Sequence, residues 1–177
     1  MAANYSISTG QTTTADITAK SLTVSGITAS NKTYDATTTA TLNTGSVTYT
    51  GLVSGDVFNG TYTGAFSDKN VGTGKTVTVN SITLADGNNG GLASNYSVTP
   101  GQTTTANIAA KALTISGITA SSKTYDGNTS ATLDTSSVLY TGLISGDTFN
   151  GSYSGAFGNA NVGTCLLYTS PSPRDIS

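Results

Sequence analysis

The side chains that most often perform chemistry in proteins are scarce in this chain. It contains no His, and its one Cys lies at position 165. His and Cys supply the usual zinc ligands, and His is the commonest general base. The acidic side chains are all Asp and form no close pair along the sequence. We therefore expect a protein that is not an enzyme and that needs no cofactor.

Two short motifs resemble catalytic ones but lack the context that catalysis requires. GTGKT at residues 72–76 resembles the end of a phosphate-binding loop, yet Lys69 replaces the first Gly and a strand pattern follows where a helix is needed. GSYSG at residues 151–155 resembles a nucleophile elbow, but Tyr153 occupies the Ser position. Neither nucleotide binding nor serine hydrolysis is predicted.

A weak calcium candidate lies in the sequence DGNNGG. Asp86 and Asn88 have the alternating oxygen ligands and the glycine turn of a calcium loop. The bidentate acid that would complete the site is missing. A solvated hairpin turn is the favoured interpretation, and no metal site is predicted.

A second candidate is a KTYD motif that occurs twice. As a ligand site, its Tyr would stack on a bound molecule. As a structural element, its Tyr would pack into the fold while its Asp capped a turn, and recurrence in both copies favours this structural role. The motif residues are Lys32, Tyr34 and Asp35 in the first copy, and Lys123, Tyr125, Asp126 and Gly127 in the second.

Both copies of the motif belong to a long internal repeat. Residues 1–73 reappear at 92–164 without insertion, and roughly 50 of the 73 aligned positions are identical. We therefore predict a tandem array with a period of 91 residues. Its parts are the C-terminal strand of a preceding repeat (1–20), a complete repeat (21–111), a truncated second repeat (112–164) and a non-native tail (165–177).

The elements of each repeat are predicted to be strands. Thr, Val, Ile and Tyr alternate with small polar residues in segments such as SLTVSGIT and KTVTVNSITL. Asn59-Gly60 and Asn150-Gly151 predict tight hairpins, and Ser54-Gly55-Asp56 predicts another reversal. The predicted fold class is all-β, with tandem antiparallel β-sandwich repeats of immunoglobulin-like size. A β-helix and a β-grasp-like unit are the alternatives.

Charge and hydropathy exclude two classes of partner. The chain has seven Lys plus Arg against nine Asp, a net charge of −2. Nucleic-acid binding needs a basic stripe that these few cations do not provide. No apolar run approaches the ~20 residues of a spanning helix, so direct membrane insertion of this region is not expected.

The tail differs from the rest of the chain. Residues 165–175 read CLLYTSPSPRD and hold the only Cys, the only Arg and two of the three Pro. This segment resembles the translation of a sequencing adaptor, and we therefore exclude it from the fold prediction.

The repeated motifs carry a family resemblance. KTYDG at residues 123–127, GLVSGD, GAF followed by NVGTGKTVTV, and LASNYSV together resemble the YDG-type repeat of bacterial filamentous-haemagglutinin-like surface adhesins. Ala36 departs from the motif's Gly, which suggests tolerance at that turn.

The resemblance implies structural stalk or display repeats of a large adhesin, located at the bacterial cell surface, associated with the outer membrane or secreted. The alternative is a carbohydrate- or matrix-binding module with a shallow site in each repeat. Implied partners are neighbouring repeats and host or matrix glycans or proteins.

Overall fold

A computed structural model of the chain describes residues 4–87, 91–164 and 167–173. The chain divides into two compact units. The first comprises residues 1–32 and 37–109, and the second comprises residues 33–36 and the chain from Ala110 onward. The predicted repeat boundaries at Lys20/Ser21 and Lys111/Ala112 stay predictions.

Among the described residues, ten strands precede Ala110. In chain order they are β1 (Lys20–Ser25), β2 (Thr28–Ala29), β3 (Lys32–Thr33), β4 (Thr39–Ala40), β5 (Leu42–Asn43), β6 (Thr48–Thr50), β7 (Asn59–Phe66), β8 (Gly72–Ala85), β9 (Tyr96–Val98) and β10 (Thr103–Ala109). A 3-10 turn at Ala93–Asn95 precedes β9. The described residues contain no α-helix, which confirms the predicted all-β class.

These strands form two larger sheets and one strand pair. The sheet orders are β6-β1-β9, β3-β10-β8-β7-β4 and β2-β5. All the registered pairs are antiparallel except one: β1 runs parallel to β9, with Lys20 opposite Tyr96. This parallel pair differs from the antiparallel prediction. Parallel neighbours need a long crossover, and here the rest of the unit provides it.

The core of the first unit has two parts. One lines the five-stranded sheet, where Phe66, Val77 and Ile108 are at most 3 % exposed. The other is a cluster of Leu22, Phe58 and Tyr96 from which water is excluded, with Leu84 of β8 packed against it. Leu22 and Tyr96 belong to the three-stranded sheet, so this cluster joins the two sheets through burial of apolar area.

Seven strands follow in the part of the second unit that the structure describes from Ala110 onward. They are β11 (Thr114–Ser116), β12 (Thr119–Ala120), β13 (Ser130–Ala131), β14 (Leu133–Asp134), β15 (Leu139–Thr141), β16 (Gly151–Phe157) and β17 (Leu167–Pro173). They pair as β11-β15, β12-β14 and β13-β16-β17. The tail segment β17 thus lies antiparallel to β16, as β8 does to β7 in the first unit.

The described side chains of the second unit form no closed core. None of the described side chains in residues 110–164 is buried. Within the described residues it has no counterpart of β9 or β10. The incomplete core that the truncation of this repeat predicts stays a prediction, with which the described side chains of residues 110–164 agree.

The Asn-Gly prediction was wrong. Asn59 and Gly60 lie inside the pairing of β7 with β8, opposite Ala85 and Leu84. The reversal between these strands falls instead at residues 67–71. Gly151 likewise begins β16 and is paired along its strand. The reversal predicted at Ser54-Gly55-Asp56 is confirmed, since the Asp56 N–H donates to the Val53 carbonyl at 3.1 Å.

Residues 5–19 form no strand or helix. Their apolar side chains Tyr5, Ile7 and Ile17 are exposed. Throughout the described chain, no helix has the length and apolar character needed to cross a membrane.

Candidate functional site

The KTYD motif of the first copy is organised by its lysine. Lys32 Nζ donates to the carbonyls of Thr37 and Thr39 at 2.7 and 3.1 Å, and to Thr37 Oγ1 at 3.1 Å. It also lies 5.4 Å from the centroid of the buried Phe66 ring. One ammonium therefore closes the loop between β3 and β4 and places its charge over an aromatic face.

The second copy repeats this arrangement, and its lysine forms an ion pair with the aspartate of the motif. Lys123 Nζ donates to the Asn128 carbonyl and side chain at 2.7 and 2.8 Å, and to Asp126 Oδ1 at 2.7 Å. Its distance to the Phe157 ring centroid is 5.7 Å. The three N–H donors of this lysine all bond within its own loop. We call this arrangement a lysine clamp, because it holds the loop together and is not directed at a ligand.

The two tyrosines of the motif have different surroundings. Tyr125 is 65 % exposed, so the predicted packing of this ring into the fold is wrong for the second copy. Tyr34 is half-buried, and a hydrogen bond with Asp147, a member of the same compact unit, raises the pKa of its phenol. No stacked cluster of aromatic side chains forms around either tyrosine in the described residues.

The aspartate of the motif caps its turn in the second copy. Asp126 Oδ1 accepts the Asn128 N–H at 3.1 Å, as predicted. The Lys123 ammonium, and then this N–H, hold the pKa of Asp126 below its ordinary value of 3.8. Asp35, its counterpart, is exposed.

The position directly after KTYD is left-handed in both copies. Ala36 has a φ of 61° and Gly127 a φ of 76°. Ala36 is the only residue other than glycine with positive φ among the described residues. A glycine suits this position because the backbone there has a positive φ, a region that L side chains disfavour.

A pair of tyrosine hydroxyls, which sequence reasoning missed, also recurs in both units. Tyr49 bonds Tyr62 across the β6 and β7 strands, and Tyr140 bonds Tyr153 in the same way. Burial first, and then the bond to Tyr49, raise the pKa of Tyr62. The bond to Tyr140 raises the pKa of Tyr153 to about 12.

Gly60 makes the first tyrosine pair possible. A Cβ at this position would lie 2.5 Å from the Tyr62 hydroxyl and 2.8 Å from the Tyr49 hydroxyl. Gly151 stands in the same relation to Tyr153, at 2.6 Å. The recurring Asn-Gly-x-Tyr spacing was the available signal, since it repeats in both copies together with the upstream Tyr.

The calcium candidates do not assemble a site in the described part of the chain. Asp86 Oδ1 accepts the Ala93 N–H at 2.8 Å and so caps a turn. Asn88 lies outside the described residues. Among the residues described, no group of three or more His, Cys, Asp or Glu side chains is arranged to hold a metal ion.

Comparison with known proteins identifies the family. No curated protein sequence and no solved structure gives a significant match. The family model described as the YDG domain matches twice, over residues 18–106 and 109–173. These two matches cover most of the chain and include both lysine-clamped loops. The chain therefore belongs to the YDG domain family.

Proposed function

We propose that this chain forms non-enzymatic stalk or display repeats of a large bacterial surface adhesin of the filamentous-haemagglutinin-like type. Each repeat would add length and stiffness, and would place an adhesive region away from the cell. Repetition suits this role because stability in such arrays grows with the number of units and their neighbours. The proposed location is the bacterial cell surface, associated with the outer membrane or secreted.

The observation that carries this proposal is that three aromatic side chains of the first unit, each of which recurs in the second copy, pack within the unit and do not form an exposed face. A binding face would present Tyr49, Tyr62 and Phe66 to solvent. Instead, Phe66 is 3 % exposed, and the two tyrosines are half-buried and bonded to each other. The repeated lysine likewise donates its hydrogen bonds to carbonyls of its own loop. The recurring side chains thus stabilise the fold, which is what a spacer needs.

Antibodies against the 177-residue chain test the location on cells of the source organism. Binding to intact cells at the same level as to permeabilised cells is expected. Labelling only after permeabilisation would refute the surface location. Single-molecule pulling of the array tests the stalk, because each unfolding 91-residue repeat should release about 30 nm of chain.

A carbohydrate- or matrix-binding module is the second candidate. It is favoured by the exposed Tyr125, which borders a pocket of about 250 Å³ together with Lys123 and Asn128. An aromatic face beside hydrogen-bonding groups suits a sugar ring. Specific binding on a glycan or matrix-protein array that disappears in Tyr125→Ala would favour this function over the stalk.

We also propose that residues 165–177 are non-native, as their composition indicates. The family match extends to Pro173, and Leu167–Pro173 pairs with β16. Sequencing the source gene beyond Thr164 decides whether the tail is native or non-native. A continuation resembling GKTVTV supports the proposal, and the CLLYTSPSPRD sequence in the gene itself would overturn it.

A further inference from the structure

In each unit, two tyrosine hydroxyls meet although their strands belong to different sheets. Tyr49 lies on β6 of the three-stranded sheet, and Tyr62 lies on β7 of the five-stranded sheet. Their hydroxyls share a hydrogen bond, and those of Tyr140 and Tyr153 share one in the second unit. The members of each pair are 13 residues apart. The same contact between two phenols is therefore built into both repeats.

Packing holds the rings of these pairs in place. Tyr49 packs against the buried cluster that joins the two sheets of the first unit. The Tyr62 hydroxyl lies over Gly60, where a Cβ would come within 2.5 Å of it. In the second unit, the centroids of the Tyr140 and Phe149 rings are 5.1 Å apart. Groups that are held in contact before a reaction lose little freedom during it, which favours their reaction with each other.

Other tyrosines have different surroundings. The Tyr96 hydroxyl donates to the Asp56 carboxylate at 2.6 Å. Tyr5 and Tyr125 are 82 % and 65 % exposed. A carboxylate offers no ring carbon to which a phenol could couple, and an exposed ring meets another phenol only by chance encounter. The hydroxyl pairs are thus the places where oxidative coupling of two rings is favoured.

We propose that each pair is a modification site, at which a one-electron oxidant joins Tyr49 to Tyr62, and Tyr140 to Tyr153, through a carbon–carbon bond. Each ortho carbon is bonded to the ring carbon that carries the hydroxyl, so the contact between hydroxyls brings an ortho carbon of each ring close to the other ring. A pocket of about 240 Å³ lined by Tyr49 and Tyr62 leaves these rings room to turn towards each other.

Coupling removes two electrons and two protons from a pair. One electron and the phenolic proton leave each tyrosine, and the remaining unpaired electron is shared between the phenol oxygen and the ortho carbons. The two radicals combine at one ortho carbon each, and the hydrogen on each of these carbons moves to its own phenol oxygen, which restores both hydroxyls. With a peroxide as the ultimate oxidant, one hydrogen peroxide takes up the two electrons and two protons and becomes two molecules of water.

The new bond would covalently tie the two sheets of the first unit. It would also close a loop of chain and so restrict the unfolded state, as other cross-links do. This inference does not depend on the proposed stalk function, because it concerns only the contact between two side chains of one unit.

Oxidation of the full chain at low concentration, with photogenerated tris(bipyridine)ruthenium(III), tests the proposal. Two of these complexes take up the two electrons, and the protons pass to the buffer. Cleavage before Asp separates the first pair, because residues 35–55 hold Tyr49 and residues 56–67 hold Tyr62 as their only tyrosines. Mass spectrometry should find these two peptides joined, with a combined mass lower by two hydrogen atoms. The same chain unfolded in concentrated urea should give several-fold less of this product.

Two variants show which phenols react. Tyr62→Phe should remove the joined 35–55 and 56–67 peptides and leave the coupling of Tyr140 to Tyr153 unchanged, which shows that the oxidant acted. Tyr5→Phe, which removes an exposed phenol, is the matched control and should couple like the unsubstituted chain. Oxidation that yields only covalent dimers and no joined product from either pair would overturn the proposal. Equal yields of the joined peptides in the folded and the unfolded chain would overturn it as well, since the folded contact then plays no part.

Discussion

Ala36 and Gly127 adopt the same left-handed backbone conformation at equivalent positions of two repeats, with φ values of 61° and 76°. A glycine reaches this region without steric cost, whereas an alanine is strained there by about 1–2 kcal/mol. The first repeat therefore carries a strain that the second avoids. The lysine clamps and hydrogen bonds around the loop hold the residue in place.

Ala36→Gly should stabilise the protein by about 0.5–1 kcal/mol, because relief of strain exceeds the added freedom of the unfolded chain. Gly127→Ala should destabilise the second unit by a similar amount, purely through the backbone, since a Cβ there meets nothing within 4 Å. Urea unfolding measures both changes. Gly45→Ala is the control, because its Cβ is also unobstructed and its φ is ordinary. Destabilisation by Ala36→Gly would contradict the argument.

Gly60→Ala should cost about 1–3 kcal/mol, the usual range for overpacking a filled site. The added methyl would collide with both hydroxyls of the Tyr49 and Tyr62 pair. Removing one hydroxyl with Tyr62→Phe should reduce this cost, so a double-mutant cycle should show coupling between the two substitutions. Additive effects in thermal unfolding would mean that the tyrosine pair does not explain the glycine.

Alkaline pH should destabilise the second unit. The pKa of Tyr153 is raised from 10 to about 12, so the folded state holds this proton more tightly than the unfolded chain. The stabilisation is complete below pH 10 and disappears as the pH rises through about 12. Tyr140→Phe should move the spectrophotometric titration of Tyr153 towards its ordinary value. An unchanged titration would exclude the hydroxyl pair as the cause.

Acid should weaken the first unit through Asp68. The Lys75 ammonium, 2.7 Å away, holds the pKa of this carboxyl below 3.8, and the Asn70 N–H adds to the effect. A lowered pKa in the folded state gives stabilisation that is present above pH 4 and disappears as the pH falls through the folded pKa. Asp68→Asn should lower the melting temperature at pH 7 and leave it nearly unchanged at acidic pH, where the carboxyl is already neutral. A constant difference at both pH values would contradict this.

The two units should differ in stability and in protection against hydrogen exchange. Ile108→Ala should cost about 2–4 kcal/mol, because it opens a cavity in the closed core. Ile17→Ala is its matched control and should cost almost nothing, since Ile17 is exposed. Hydrogen exchange should be slow in β7, β8 and β10 and faster in residues 112–164. Equal protection in both units would show that the second unit has a core that the described residues do not reveal.

The sequence determined the features that depend on local pattern and on repetition. Alternating Thr and Val residues predicted strands such as β1 and β8, and Ser54-Gly55-Asp56 predicted its turn, because side-chain period and turn chemistry act within a few residues. The 91-residue offset identified the repeat and the missing strands of the second copy. The all-β class followed from these signals without tertiary information.

Only the tertiary structure decided the roles of residues that meet across long stretches of chain. Asn59-Gly60 resembles a hairpin turn locally, yet Gly60 lies in a strand opposite Leu84, and two tyrosine hydroxyls occupy the space that a side chain there would need. Lys32 and Lys123 emerged as the centres of the motif loops only when their carbonyl partners and aromatic neighbours came together. Tyr96 pairs in parallel with Lys20 across most of a repeat. Such contacts depend on loop closure and shared burial, which the sequence pattern around any one residue does not encode.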